Sequence, residues 1–221
     1  MELLDKKGRT EAEFLASYDK DRYEKPSVAA DIVVFSTVRA TDKSASYQVL
    51  LVRRGGHPFL GQYALPGGFV EPDETVEDAV SRELREETGV TTGKGYRKVT
   101  PQLLNVYSKP DRDPRMRVMS LAYVAVVNAA EVKVKAGDDA AEAGWFRINM
   151  TRTAINRESG VITYHLELTR EDICLSANLD YRRWYGVLTD NEEWTLHDSE
   201  GLAFDHAKII AEAFKKWQRM T

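Results

Sequence analysis

Glu83, Glu86 and Glu87 lie in a segment, residues 75–88, whose Val76, Ala79, Val80 and Leu84 recur at the spacing of an amphipathic helix. At about 100° per residue, Glu83 and Glu87 share the azimuth of Val76 and Val80, so they continue the apolar stripe instead of opposing it, and Glu86 sits at its margin. Like charges at i,i+4 are destabilising, and all three carboxylates occupy the last turns, where the helix dipole presents its negative end. A solvated acidic helix end is the common alternative for a Glu-rich helix, but inward carboxylates demand a cation. Mg²⁺ or Mn²⁺ takes hard oxygen ligands and bridges carboxylates to phosphate oxygens, so the expected partner is a phosphate compound. Arg82, four residues before Glu86, is expected to hold that carboxylate in place, a role open to Arg85 only if the helix faces differ.

These residues need elements to position them. Thr75 is a plausible N-cap and Gly89 a C-terminal stop for the helix. Ahead of it, residues 55–68 hold five glycines and two prolines, the composition of a backbone that bends tightly or approaches something closely, and the Pro66-Gly67-Gly68 turn can bring a backbone carbonyl to the metal. Runs at 30–38, 47–53, 103–107 and 118–127 read as strands, with a short strand near Trp145-Phe146. Residues 1–26 read as a short helix and an entry segment. Residues 150–200, with the alternating run 161–166 and the aromatics Tyr181, Trp184 and Tyr185, read as a β-rich insertion. That cluster either stacks an adenine or forms an interface or local core. The chain closes with a helix near 204–220 that Asp205 would cap.

Gly68, Glu74, Arg82, Glu83, Leu84, Glu86, Glu87, Gly89 and Val90 match every defined position of the Nudix box, and over residues 27–148 plus the final helix the chain resembles the Nudix hydrolases. The resemblance implies an α/β/α sandwich with a mixed β-sheet, divided here into residues 1–26, a core at 27–149, the insertion at 150–200 and the C-terminal helix at 201–221. It also implies water attack on the pyrophosphate of a nucleoside diphosphate linked to another moiety. By that match Glu83, Glu86 and Glu87 would be metal ligands, with the Gly67 carbonyl as a fourth and Glu74 structural at the loop-to-helix junction. A general base from outside the box is expected in the acidic stretch 138–142, with Asp139 and Glu142 as candidates, although an exposed acidic turn explains them equally well.

Residues 63–70, 111–118 and 202–207 are similar to the ADP-ribose pyrophosphatase-related branch. Arg112, Arg115 and Arg117 are candidates to grip phosphates, against surface pairing with Asp111 and Asp113. Arg53 and Arg54 end a strand before the glycine loop and can face the same site. Tyr107, seventeen positions past Val90, is placed as in dinucleoside-polyphosphate hydrolases, and no proline stands sixteen past Val90 as in some ADP-ribose enzymes. The expected reaction is ADP-ribose to AMP and ribose 5-phosphate. The alternatives are a dinucleoside polyphosphate or nucleotide-sugar hydrolase, or a non-catalytic ADP-ribose-sensing regulator, whose C-terminal winged helix is not expected after a helix that ends near Met220.

With 221 residues, 43% hydrophobic and 30% charged, the chain is neither collagen-like nor strongly disordered. A net charge of -4 argues against nucleic-acid binding through a global positive field. The single Cys174 forms no intramolecular disulfide and reads as a small packed side chain in a cytoplasmic protein. No apolar run approaches the ~20 residues that cross a bilayer, and the N-terminus lacks the apolar region of a signal peptide. His57, His165, His197 and His206 show no zinc-ligand spacing and are expected to be surface, capping or structural groups. A homodimer is expected.

Overall fold

A computed structural model describes residues 3–39, 45–88, 99–129, 140–187 and 190–220. Strand β1, Ser27–Arg39, is apolar on both faces: Ile32 and Val34 point to one side, Val33 and Phe35 to the other, all four fully buried. Such a strand must be covered twice. On one face lies α2, Val76–Thr88, with Ala79, Val80 and Leu84 against Ile32, Val34 and Leu50. On the other lies α3, His206–Gln218, with Ile209, Ile210, Phe214 and Trp217 in the larger core. Trp217 stacks on Phe35 at 4.7 Å and meets Tyr47 edge-on at 5.0 Å, a geometry that adds to the burial of their area. These layers are the α/β/α sandwich expected from the resemblance.

The sheet is mixed. Besides β1 it contains β2 (Ala45–Arg54), β3 (Tyr63–Ala64), β4 (Gly67–Phe69), β5 (Gln102–Tyr107), β6 (Val118–Val126), β7 (Ala140–Asn156), β8 (Val161–Arg170), β9 (Ile173–Trp184) and β10 (Asn191–Glu200). The order is β10-β9-β8-β7-β2-β1-β6-β5, with β3 on β2 and β4 on β1. Among the strand pairs of the described residues, only β1 and β6 run parallel. Inside the glycine-rich stretch, Gly67 has φ 144° and the His57–Pro58 peptide is cis.

The short strand expected near Trp145-Phe146 is instead 17 residues long and runs through the expected boundary at 149/150. Residues 150–200 are β-rich, as expected, and continue the same sheet through β8, β9 and β10. Their period-2 alternation sends Tyr164, Leu166, Leu168, Leu175, Ala177 and Leu179 into the α3 core. The opposite face stays polar, with Thr163 donating to Asp180 and Asn178 donating to Asp198, so it needs no covering helix. Tyr181 belongs to a local core with Tyr164 and Trp194, whereas Trp184 and Tyr185 are exposed. Cys174 is exposed, not packed. The N-terminal helix α1, Glu11–Ala16, buries none of its residues. Among the described residues no helix is long and apolar enough to cross a membrane.

Candidate active site

The helix that carries the carboxylates is fixed at its start by a reciprocal cap. The Asp78 amide donates to Thr75 Oγ1 at 3.1 Å, and the Thr75 amide donates to Asp78 Oδ2 at 3.2 Å. Arg82 then ties the helix to the loop before it. Its guanidinium donates to Glu74 Oε1 and Oε2 at 2.7 and 3.1 Å, to Glu83 Oε1 at 2.7 Å and to the Phe69 carbonyl at 3.3 Å. Glu86, the partner expected from i,i+4 spacing, is an ion pair at 3.6 Å, while Arg85 reaches Glu86 at 3.7 Å in solvent. Glu74 also accepts the Glu71 amide at 2.9 Å, so it staples the loop to the helix.

The three box carboxylates differ sharply in surroundings. Glu86 is exposed, with half of its side chain in solvent. Glu83 is half-buried against Gly68, where a Cβ would fall 2.2 Å from Glu83 Oε1, and its partial burial raises its pKa against the opposing pull of Arg82. Glu87 is deeper. Burial, reinforced by the Glu83 charge, pushes its pKa up to about 8 although the Gly67 backbone amide hydrogen-bonds to it. Its Oε2 is buried with no hydrogen-bond partner. Among the described residues no three His, Cys, Asp or Glu side chains converge closely enough to hold a metal, because Glu83 is turned onto Arg82 and Glu86 onto the surface. A divalent cation nevertheless fits this donor set, since an unpartnered carboxylate oxygen beside a second, half-buried carboxylate lacks a positive charge.

Glu87 opens into a cavity of about 350 Å³ lined by Asp31, Arg53, Arg54, Gly67, Gly68, Phe69, Arg112, Asp113, Arg115, Phe204 and His206 among others. Arg53 and Arg54 line it as expected, each oriented by a backbone carbonyl, Gly61 at 3.1 Å and Pro58 at 2.7 Å. Arg115 lines it too. Asp113 holds its guanidinium at 2.8 Å, and the rings of Phe69 and Phe204 lie 5.3 and 5.9 Å from it.

Other expected site residues are placed differently. Arg112 touches the cavity, but its side chain is 4% exposed and committed to Asp205, at 2.6 and 3.2 Å, and to Asp31 at 3.5 Å. Nε and Nη2 are thus held by carboxylates, which gives Arg112 a structural role at the cavity wall that its spacing did not predict. That pairing also explains why Asp205 makes no side-chain cap on α3. Arg117 is not a cavity residue and donates to the Ser108 carbonyl. Tyr107, expected to bind substrate, is buried and donates to Glu212 Oε2 at 2.8 Å; burial and that carboxylate raise its pKa. Glu142, a candidate base, is not among the lining residues; it pairs with Arg170, which lies across Gly144. Asp139, Gly89 and Val90 lie outside the described residues.

The correction at Tyr107 is testable. Tyr107→Phe removes one of the donors that Glu212 has beside Asn105 and Lys216, and should cost about 1–2 kcal/mol in denaturant unfolding while leaving substrate KM unchanged. A raised KM with unaltered stability would restore the binding role.

Asp31, Phe69, Phe204 and His206 were not singled out as site residues by type and spacing. Only the resemblance of residues 63–70 and 202–207 to the ADP-ribose branch took in three of them, Phe69, Phe204 and His206. Asp31 accepts from Ser120 Oγ. His206 Nδ1 accepts the Leu65 amide at 2.9 Å, and burial lowers the imidazole pKa. Phe204 has φ 53°, an uncommon conformation for a bulky residue and one that is held by its packing on Phe59 and under Arg54.

The chain thus combines an α/β/α fold with a helix of inward carboxylates beside a cleft lined by arginines. The NUDIX domain model matches residues 26–165, and the chain belongs to the Nudix family. It is 43% identical over 143 residues to an ADP-ribose pyrophosphatase of Methanocaldococcus jannaschii, covering 64% of this chain and 75% of that protein. It is 33% identical over 123 residues to the ADPR responsive transcriptional repressor NtrR of Acinetobacter baylyi, 54% of this chain and 44% of that one, so it spans less than half of the repressor's length. Among solved structures it is similar to a MutT/nudix family protein from Enterococcus faecalis, with TM-score 0.64 and 33% identity over 94% of this chain and 69% of that chain. The NUDIX domain of Shewanella oneidensis NrtR, solved with ADP ribose, shares the fold at TM-score 0.59 and 24% identity, over 95% and 99% of the two chains.

Proposed function

We propose that this Nudix pyrophosphohydrolase cleaves ADP-ribose to AMP and ribose 5-phosphate. The observation that carries the reading is the buried, unpartnered Glu87 Oε2 at the floor of a cavity rimmed by Arg53, Arg54 and Arg115. The identity to the Methanocaldococcus jannaschii ADP-ribose pyrophosphatase supports this substrate among nucleoside diphosphate derivatives. Glu83, Glu86 and Glu87, with the Gly67 carbonyl, would hold Mg²⁺ or Mn²⁺. Bound there, the ion would neutralise the diphosphate and lower the pKa of the attacking water.

The rest of the work falls to the chain itself. Arg82 holds Glu83 in its half-buried rotamer through the bond at 2.7 Å. Arg53, Arg54 and Arg115, pre-oriented by Gly61, Pro58 and Asp113, meet the anionic substrate with little loss of side-chain freedom. The rings of Phe69 and Phe204 supply apolar walls for the nucleoside. A general base from the 138–142 stretch belongs to the same proposal, as do a homodimer, favoured by Leu3, Leu4 and Leu15 exposed on the N-terminal segment, and a cytoplasmic setting, favoured by the lone cysteine.

Incubation with ADP-ribose and Mg²⁺ or Mn²⁺ should release AMP and ribose 5-phosphate in equal amounts. Tight binding of ADP-ribose without turnover in either metal would instead favour the sensor reading that the similarity to the repressor supports.

A further inference from the structure

The backbone that faces Glu87 belongs to a run, residues 63–69, made of two very short strands that cannot hold themselves in place. Neighbours fix it largely through main-chain bonds. Tyr63 and Ala64 pair with Arg53 and Val52, and Tyr63 also exchanges bonds of 2.8 Å with Gly201 and Ala203. The Pro66 carbonyl accepts from the Ile32 amide at 2.9 Å, and Gly67, Gly68 and Phe69 pair with Asp31, Ala30 and Ala29. Arg82 donates to the Phe69 carbonyl and the Gly67 amide bonds to Glu87, both contacts from α2; a third side-chain contact is at Leu65. Its amide goes to a side chain, the Nδ1 of His206, from a residue 141 positions away at the first turn of α3.

The ring is 4% exposed and lines the cavity together with Gly67 and Glu87. Because Nδ1 accepts, the proton of the neutral ring sits on Nε2, which lies 3.7 Å from Asp31 Oδ1. Asp31 is the register partner of Gly67 on β1. His206 therefore spans Gly67 from both sides, bonding two residues before it and facing its partner across the ladder.

We propose that His206 is a positioning residue for the Nudix site: by accepting the Leu65 amide it fixes the Gly67–Gly68 backbone against Glu83 and Glu87, so that the start of α3 sets the geometry in which the divalent ion is held. The proposal rests on the assignment of Glu83, Glu87 and Gly67 to the metal. It does not require His206 to touch substrate.

The chemistry of the acceptor supplies the test. Asn Oδ1 and His Nδ1 are both attached to Cγ and reach the same point, whereas the Gln oxygen sits one bond farther out. His206→Asn should therefore keep the Leu65 amide protected, with Mn²⁺ affinity and kcat within about threefold of wild type. His206→Gln and His206→Leu should speed Leu65 amide exchange in the metal-free protein by on the order of tenfold or more. They should also weaken Mn²⁺ binding by about 10–100-fold, with kcat falling and KM for ADP-ribose little changed. A purely volumetric role predicts the reverse ranking, because Gln and Leu fill the ring's space better than Asn. Equal behaviour of Asn and Gln, or wild-type exchange and Mn²⁺ affinity in the Leu variant, overturns the proposal. Should the Leu variant fail to fold, the Asn–Gln pair decides. If the wild-type protein does not hydrolyse ADP-ribose, the functional reading falls, while amide exchange and Mn²⁺ affinity still judge His206.

Discussion

Replacing Glu87 by Gln should lower kcat by ~10³-fold or more, because the amide keeps the shape of the buried group while removing the charge that a divalent ion needs. The same substitution should stabilise the metal-free protein at alkaline pH. The Glu87 carboxyl is pushed in the folded state up to about 8 from the ordinary 4.5, by burial and then by the Glu83 charge. A raised folded pKa means that the native state binds the proton more tightly than the unfolded chain. The associated stability is complete below about 4.5 and is lost as pH rises through about 8. Wild-type protein in chelator should thus melt at a lower temperature at pH 9 than at pH 6.5, and Glu87→Gln should flatten that slope. Mn²⁺ should restore the wild-type melting temperature at pH 9 and leave the variant almost unmoved, since an ion that binds only the native state stabilises by mass action. Equal turnover in wild type and variant would refute the metal assignment. An unchanged pH slope would show that Glu87 is not the buried group whose proton matters.

Gly67→Ala and Gly68→Ala, although adjacent, should fail for different reasons. A Cβ on Gly67 would fall 2.1 Å from the Ala30 carbonyl oxygen and 3.0 Å from Asp31 Cα, both main-chain atoms of the central strand, at a φ of 144° that side chains rarely adopt. Neither neighbour can move, so this variant should lose about 3–5 kcal/mol and melt roughly 10 °C lower. At Gly68 the Cβ would instead meet Glu83 Oε1 at 2.2 Å, the end of a side chain. Glu83 can swing away, so Gly68→Ala should stay folded and lose Mn²⁺ affinity and activity together. Gly56→Ala, with open space around the new methyl, is the neutral control. Thermal melts paired with Mn²⁺ titration separate the three cases. A stable, active Gly67→Ala would contradict the close packing of β4 on β1.

Local chemistry made some of this legible before any fold was known. The helix of residues 76–88, its Thr75 cap and the inward turn of Glu83 and Glu87 followed from 3.6-residue periodicity, which relates neighbours only a turn or two apart. The same reasoning found only part of what Arg82 does. Its spacing to Glu86 is local, whereas Glu74, its bidentate partner, is brought back by the loop. Tyr107 failed, and Arg112 was read only in part, for a similar reason. Each carries a side chain suited to substrate, and each is spent on an acidic residue of the last helix or its cap, Asp205 and Glu212, some hundred positions later. No pattern within a window of sequence contains such a pairing.

Residues 150–200 likewise announced strands by alternation, but not that those strands would extend the central sheet and form part of the seat of α3. Helical and strand periods and the acidic constellation are properties of neighbouring residues, and the order of residues expresses them directly. Which carboxylate finds an arginine, which oxygen is left unpaired and which ring reaches the Leu65 amide depend on side chains made adjacent by burial of a shared core. That burial is settled only when β1 is closed between its two helices.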